Sequence, residues 1–343
     1  MENLINIEEA LGLDNVLFID LRSPCEYEEA HIPGALNLPL MEDDERAMVG
    51  TIYKQESPEK AVDRGFAIIA PKLPRLTQQL KQLTKERTLV LYCWRGGMRS
   101  KSLCQVLHIL GIKHYRLIGG YKAFRHYVND FFAKPFEKEI VVLHGLTGVG
   151  KTEILQHLID ASLPAIDLEG LANNRGSVFG HIGMRRPPSQ KQFEGMLFCT
   201  CRKLQGFPRI AVECESRRIG SIFIPLSFFQ AMQKGRKVLI YDSLENRITR
   251  LINTYLDEKS TFNEEQLAAA INNLRKRLGS AKVEQLLALL KTKDYHDVVE
   301  ALLLDYYDPL YKYPDQPSEA YELNLNAAYP EMVLEKLKEF LIR

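Results

Sequence analysis

An apolar run, Ile140-Val-Val-Leu143, leads into His144-Gly145-Leu-Thr147-Gly148-Val-Gly150-Lys151-Thr152, and a helix-patterned Glu153-Ile-Leu-Gln-His-Leu-Ile159 follows. The spacing Gly145-x4-Gly150-Lys151-Thr152 is a Walker A pattern in the strand–loop–helix setting that gives it meaning. Its glycines let successive backbone N–H groups turn inward on a phosphate, and the following helix N-terminus adds its dipole. Gly145, Thr147, Gly148, Gly150, Lys151 and Thr152 are the candidate phosphate-binding residues. Lys151 brings positive charge, and Thr152 brings a hydroxyl able to ligate Mg²⁺. The middle of the chain is thereby committed to an α/β domain of P-loop NTPase type.

A P-loop alone gives no role to Cys93. This residue follows the strand-like Thr88-Leu-Val-Leu-Tyr92 and opens Trp94-Arg95-Gly96-Gly97-Met98-Arg99-Ser100. The helically spaced Lys101–Leu110 comes next and stops at Gly111. A thiol is thus expected at the C-terminal tip of a strand, in a loop running into a helix N-terminus. Loop N–H groups, the helix dipole, Arg95 and Arg99 all favour a thiolate and any anion bound beside it. Free cysteines are usually buried; the two arginines and paired glycines predict an accessible one here.

The chain has 343 residues, which exceeds one ordinary domain and suggests two with an appendage. A hydrophobic fraction of 45% supports full cores, and 26% charged residues support a soluble surface. No run approaches a membrane span, and the acidic start lacks a signal peptide's basic and apolar regions. A cytoplasmic protein with no membrane partner is expected. Cys25, Cys93, Cys104, Cys199, Cys201 and Cys214 are too scattered for a disulfide framework. Cys199-Thr-Cys201 has no partners at zinc-finger spacing and reads as two core cysteines. A net charge of +1 leaves any nucleic-acid contact to a local basic face.

Along residues 1–128, Asn15–Ile19, Thr88–Tyr92 and His114–Ile118 read as strands, with Pro71–Leu83 and the segment after Cys93 as helical crossovers. That alternation predicts a parallel α/β sheet. Polar and aromatic residues 129–139 read as a linker. Residues 140–243 form the P-loop domain, with strands expected at Ile140–Leu143, Pro164–Leu168, Arg209–Glu213 and Lys237–Tyr241. From residue 244 to 343 the pattern is helical and mixed in charge, expected to pack with the P-loop domain.

These residues carry a resemblance. Phe18-Ile-Asp20-Leu-Arg22-Ser-Pro-Cys-Glu26-Tyr-Glu28-Glu-Ala-His31-Ile-Pro-Gly34-Ala-Leu-Asn-Leu-Pro39 resembles the opening of a rhodanese domain. Leu117-Ile-Gly119-Gly120-Tyr-Lys-Ala-Phe124 resembles its closing turn, and Cys93 stands where that family's sulfur-carrying cysteine belongs. A rhodanese domain followed directly by a P-loop domain resembles the tRNA 2-selenouridine synthase family over essentially the whole chain. Cys93–Ser100, Asp167–Ser177 and Glu213–Gly220 are similar to that family's motifs. His31 reads as a capping or packing residue despite matching a family position. One feature departs from common rhodaneses: the loop spells C-x5-R, a residue longer than C-x-x-G-x-R-S and equal to the spacing of cysteine-dependent phosphatases. A wider loop could take selenium or selenophosphate. Tyr92, where many such phosphatases have histidine, weighs against a phosphatase, as does the P-loop domain.

The resemblance implies that sulfur of the wobble 2-thiouridine in a tRNA anticodon loop is replaced by selenium through an S-geranylated intermediate. Geranyl diphosphate and selenophosphate would be co-substrates, with a selenophosphate-supplying enzyme as a candidate partner. The P-loop would then be a diphosphate clamp in which Gly145, Thr147, Gly148, Gly150, Lys151 and Thr152 meet the departing charge. Cys93 would be the selenium carrier or nucleophile, with Arg95 and Arg99 as anion holders. Asp167 with Glu169, and Glu213 with Glu215, end apolar strands and are candidates for holding Mg²⁺ or acting as bases. Arg175, Arg185, Arg186, Arg217 and Arg218 lie near the same loops and form a candidate anion-binding set. Arg275-Lys-Arg277 and Lys291-Thr-Lys293 offer a basic face, and Trp94 could stack on a base or prenyl chain or shape its loop. Two other classes compete. One is a rhodanese-type sulfurtransferase or cysteine-dependent phosphatase coupled to a nucleotide-hydrolysing P-loop domain. The other is a regulatory module whose P-loop senses nucleotide.

Overall fold

The computed structural model describes residues 3–174, 186–256 and 264–342. It separates into two units: Met1–Ala133 with Pro188–Cys199, and Lys134–Pro187 with Thr200–Arg343.

In the first unit, strands β2 (Val16–Asp20) and β4 (Thr88–Tyr92) are nearly continuous apolar runs, the pattern of strands covered on both faces. With β1 (Leu4–Ile5), β3 (Leu36–Asn37) and β5 (Tyr115–Leu117) they form a parallel sheet of order β1-β5-β4-β2-β3. One face buries Leu17, Ile19, Leu89 and Leu91 against Leu76, Leu80, Leu103 and Leu107 of the crossover helices Leu73–Leu83 and Met98–Ile109. The opposite face packs Phe18, Val90 and Tyr92 on Tyr121, Phe124 and Val128 of the helix Gly120–Ala133. Helices Asp43–Gln55 and Pro58–Ile69 complete the unit.

Residues 129–133 are not a linker. The helix Gly120–Ala133 runs through them because its aromatic residues recur at helical spacing, and Phe131 packs edge-on against Phe198 at 5.1 Å. Only residues 134–138 separate this helix from the next strand. The same unit also recruits residues 188–199, from far along the chain. The Gln192 side chain accepts the His31 N–H at 2.8 Å, Glu194 pairs with Arg125 at 2.7 Å, and Phe198 meets Phe124 at 6.0 Å. Cys199 packs against this core and Cys201 is buried, as the core reading expects.

The second unit is built on β6 (Glu139–His144), β7 (Ala165–Ile166), β8 (Arg209–Glu213), β11 (Arg236–Tyr241) and β12 (Leu323–Asn326), parallel and ordered β12-β11-β6-β8-β7. A small antiparallel pair, β9 (Arg218–Ile219) and β10 (Ile222–Phe223), stands apart from this sheet. The region after residue 244 is therefore not wholly helical: β12 supplies the sheet edge, and the helix Pro330–Ile342 buries Val333, Leu337 and Leu341 in the same core as Val141, Leu143 and Ala211. Helices between residues 264 and 311 form their own cluster around Ile271, Val283, Leu286 and Leu302, to which Ile248 contributes. Among the described residues no helix is long and apolar enough to cross a membrane.

Candidate active sites

In each unit the chemistry-bearing loop follows the carboxyl end of an inner strand, β4 in the first and β6 in the second, where α/β sheets open toward ligands.

The loop after β6 closes into a cradle. Gly148 and Gly150 hold φ of +84° and +88°, the left-handed region that side chains avoid. Gly150 is also the N-cap of the helix Lys151–Asp160. Lys151 Nζ donates to the carbonyls of Gly145 at 2.7 Å and Leu146 at 3.3 Å. The cradle opens into a cavity of about 360 Å³, with Thr147 and Thr152 on its rim. Glu169, Glu213 and Glu215 line it together with Leu251, Tyr311 and Tyr313, the two rings stacked 6.0 Å apart. Cys214 also lines it, with Sγ 3.1 Å from the Tyr313 hydroxyl.

The acids are held in tension. Glu213 Oε1 accepts the Glu169 N–H at 2.7 Å, while its buried Oε2 has no hydrogen-bond partner. Burial, reinforced by Asp167, pushes the Glu213 carboxyl well above the usual range. Burial and the Glu169 charge raise Glu215 to about 8. Burial lowers the Lys151 ammonium against the pull of Glu169, Glu215, Cys214 and Glu213. An unsatisfied buried carboxylate oxygen marks a place for a ligand. Mg²⁺ takes hard oxygen donors, and Thr152 with Glu213 would hold it in this cavity. The carboxylates of Glu169, Glu213 and Glu215 do not converge as one ligand group. Asp167 is placed differently: its carboxylate caps the helix Leu168–Ala172 through the Gly170 N–H at 2.7 Å, and it does not line the cavity.

The described members of the expected arginine set, Arg186, Arg217 and Arg218, do not line this cavity. Arg217 is exposed, and Arg218 donates to the Gly220 carbonyl at 2.8 Å and lies over the Phe223 ring. Arg186 is exposed, and Arg175 and Arg185 lie outside the described residues. Arg275 is paired with Glu284 and Arg277 donates to the Tyr306 hydroxyl, so that expected basic face is partly turned to internal partners. The cation that joins Lys151 in the cavity is Arg250, which sequence reasoning missed, as it missed Tyr311 and Tyr313.

In the first unit, Cys93 directly follows β4 and its carbonyl accepts the Tyr121 N–H at 2.9 Å. Its Sγ lies 3.3 Å from Ser100 Oγ, which in turn bonds the Gly97 carbonyl at 3.2 Å. Cys93 is only 3% exposed, contrary to the expected accessible thiol. Its sulfur is in contact with the Ser100 hydroxyl in the first turn of the helix Met98–Ile109 rather than with solvent. Arg95 is exposed, while Arg99 is committed to Glu26 through contacts of 2.6 and 3.3 Å. Burial would raise Glu26, but Arg99's hydrogen bonds and charge hold it below the ordinary value. Beneath the loop, Arg22 is buried and clamped by Asp20 at 2.5 Å, with its guanidinium 4.3 Å from the Tyr121 ring centre. Trp94 rests against Tyr121 at 5.6 Å, a loop-shaping position. His31 stacks on Tyr27 at 3.8 Å and its Nδ1 meets the Tyr27 carbonyl at 2.9 Å; burial lowers its pKa, and it acts as packing.

Comparison with known proteins adds to this geometry. Residues 138–339 match the family described as the tRNA 2-selenouridine synthase AAA domain, and residues 6–127 match the rhodanese-like domain. The tRNA 2-selenouridine synthase of Pseudomonas savastanoi pv. phaseolicola (strain 1448A / Race 6) is 36% identical, covering 89% of this chain and 90% of that protein. The tRNA 2-selenouridine synthase of Hydrogenovibrio crunogenus (strain DSM 25203 / XCL-2) is 37% identical, covering 91% and 92%. That of Shewanella frigidimarina (strain NCIMB 400) is 35% identical, covering 88% and 89%.

Proposed function

The chain belongs to the tRNA 2-selenouridine synthase family, and from that premise we propose that it is a cytoplasmic transferase converting wobble 2-thiouridine of tRNA into 2-selenouridine through S-geranyl-2-thiouridine. The observation that carries this reading is the make-up of one cavity: a glycine cradle with Lys151 opens directly onto Leu251, Tyr311 and Tyr313. A phosphate-binding end joined to an apolar, aromatic wall suits an allylic diphosphate.

The chemistry follows from leaving groups. Sulfur doubly bonded to C2 departs poorly. When the thione sulfur attacks the allylic carbon of geranyl diphosphate, an S–C bond forms, the C–O bond breaks and diphosphate leaves. The cradle N–H groups and Lys151 stabilise that departing charge. A bound Mg²⁺ would supply further charge neutralisation. Cys93 is the nucleophile for the second exchange: its thiolate attacks C2, the bond from C2 to the geranylated sulfur breaks and geranyl thiolate leaves. The selenium of selenophosphate then displaces the Cys93 thiolate from C2, and water cleaves the P–Se bond, releasing phosphate and leaving 2-selenouridine. Exposed Arg95 is an anion contact, and Arg99 acts through Glu26 to brace the loop.

The competing reading is a sulfurtransferase or phosphatase loop coupled to a nucleotide-hydrolysing domain, and it places ATP in the same cavity. Mass spectrometry of tRNA nucleosides from a strain lacking the protein tests the proposal: 2-selenouridine is expected to vanish while 2-thiouridine remains. Unchanged 2-selenouridine, together with tRNA-independent ATP hydrolysis by the purified protein, would favour the alternative.

A further inference from the structure

A phosphate cradle works only if its peptide N–H groups point inward, which requires the carbonyls of the same peptides to point outward and be satisfied there. Two of them are met by guanidinium groups from one helix. Arg247 Nε donates to the Thr147 carbonyl at 2.8 Å, and Arg250 NH1 donates to the Gly148 carbonyl at 2.7 Å. Both arginines sit on the helix Leu244–Leu256, three residues apart and therefore on one face. The loop lies directly against this helix. A Cβ on Gly148 would come within 3.1 Å of the Arg247 carbonyl and of Leu251, and one on Gly150 within 3.1 Å of Arg250 Nε.

Each guanidinium is itself fixed. Arg247 is 3% exposed and grips both oxygens of Asp308, at 3.0 and 2.5 Å. Arg250 reaches Asp242 at 3.0 Å and Glu153 at 3.1 Å. Asp242 is buried and is held by the Ser243 N–H at 2.9 Å and the Asn246 amide at 2.7 Å. Both forks thus spend donors on loop carbonyls and on carboxylates, even though Arg250 also lines the cavity. The bidentate Arg247–Asp308 pair and the two single contacts of Arg250 are charge-assisted, and they define direction as well as energy.

We infer that Arg247 and Arg250 are positioning residues of the phosphate-binding loop, holding the Thr147 and Gly148 carbonyls outward so that the loop N–H groups face the anion. The inference rests on the reading of this cavity as a diphosphate site. It assigns Asp308 and Asp242 the role of anchors, and it explains why a loop near residue 147 depends on side chains a hundred residues later.

The test uses the full chain and inorganic pyrophosphate, titrated by calorimetry, with thermal unfolding measured alongside. Arg250→Gln is expected to weaken pyrophosphate binding about tenfold while the melting temperature of the ligand-free protein moves little. Asp242→Asn removes the anchor alone and is expected to weaken binding in the same direction. The double variant should lose no more than Arg250→Gln, because both act through one carbonyl. Arg250→Lys keeps the charge but not the fork, and it is expected to recover only part of the loss. Binding unchanged in Arg250→Gln overturns the inference. So does full recovery in Arg250→Lys with Asp242→Asn silent, which would make Arg250 a plain charge. Absence of pyrophosphate binding in the wild type sinks the diphosphate reading and this inference together, whereas normal binding in every variant sinks the inference alone.

Discussion

A Cβ placed on Gly120 would overlap the carbonyl oxygen of Cys93, the same oxygen that accepts the Tyr121 N–H at 2.9 Å. The turn Gly119-Gly120 is therefore the floor on which the Cys93 loop is set, and Gly120 also holds a φ of +58°. Gly120→Ala forces the loop to shift, at a strain of about 1–3 kcal/mol. Selenium incorporation into thiolated tRNA is expected to fall at least tenfold, with pyrophosphate binding by the other unit unchanged. Normal incorporation in a folded Gly120→Ala protein would show that the loop geometry is not needed.

Cys93→Ser keeps the size of the side chain and its contact with Ser100 but removes the nucleophilic sulfur. Selenium incorporation is expected to be lost while S-geranyl-2-thiouridine still forms and accumulates. Nucleoside mass spectrometry after incubation with thiolated tRNA, geranyl diphosphate and selenophosphate reads both products at once. Cys25→Ser serves as a control, since Cys25 is exposed and stands outside the Cys93 loop. Wild-type amounts of 2-selenouridine from Cys93→Ser would remove Cys93 from the mechanism.

Lys151→Ala deletes the ammonium that now bonds the Gly145 and Leu146 carbonyls at the base of the cradle. Pyrophosphate affinity is expected to drop by about a hundredfold and geranylation to disappear, with tRNA binding measured by filter retention nearly unaffected. Comparable loss of tRNA affinity would mean that Lys151 contacts the nucleic acid rather than the diphosphate.

Both reactive loops are legible in the sequence because each is a run of consecutive residues whose spacing is its geometry. Gly145–Thr152 and Cys93–Ser100 declare themselves through their own glycines and the helix that follows, although each is held in place by residues elsewhere in the chain. The rest of each site is assembled by topology. Arg250 reaches the cradle on the helix that follows β11, the strand beside β6, and Tyr311 arrives some sixty residues later, ahead of β12 at the sheet edge. Nothing near residue 147 announces those partners. Strand β12, Leu323-Asn-Leu-Asn326, is too short to stand out between helical segments. The two arginines and paired glycines predict an accessible Cys93, but Arg99 turns to Glu26 and the sulfur meets Ser100, while the backbone of Cys93 is fixed by Gly120 and Tyr121 from the turn after β5. The aromatic residues 129–133 read as a linker because the surface they cover includes Phe198, recruited from the far side of the P-loop motif.

Glu215 carries a sign that can be checked. Its carboxyl is raised from 4.5 to about 8 by burial and by Glu169, so the folded protein holds this proton more tightly than the unfolded chain does. That contribution is fully present below about pH 4.5 and is lost as pH rises through 8. Glu215→Gln, which mimics the protonated form, is expected to stabilise the ligand-free protein increasingly between pH 5 and pH 8.5. Adding Mg²⁺ with pyrophosphate is expected to shrink the difference, since a cation favours the ionised wild-type group. A stability difference that does not change with pH would show that the carboxyl is not desolvated.

His144 gives the opposite slope from the same unit. It closes β6 one residue before Gly145, with its ring edge-on to Tyr313 at 5.4 Å and to Tyr321 at 5.5 Å, and its buried Nδ1 has no hydrogen-bond partner. Burial first, then the charges of Lys237 and Lys151, lower its pKa from 6.5 to about 4. The unfolded chain therefore takes up this proton before the folded one. Stability held by the neutral imidazole is present above pH 6.5 and is lost as pH falls toward 4, by about 3 kcal/mol at most. His144→Phe keeps the ring against both tyrosines and removes the titration. Urea unfolding at pH 7, 5.5 and 4 is expected to show the variant gaining on the wild type by about 1–3 kcal/mol across that range. Acidic residues elsewhere destabilise both proteins alike, so the difference between them isolates His144. Parallel pH profiles for the two proteins would mean that the imidazole at the end of β6 is solvated and free to charge.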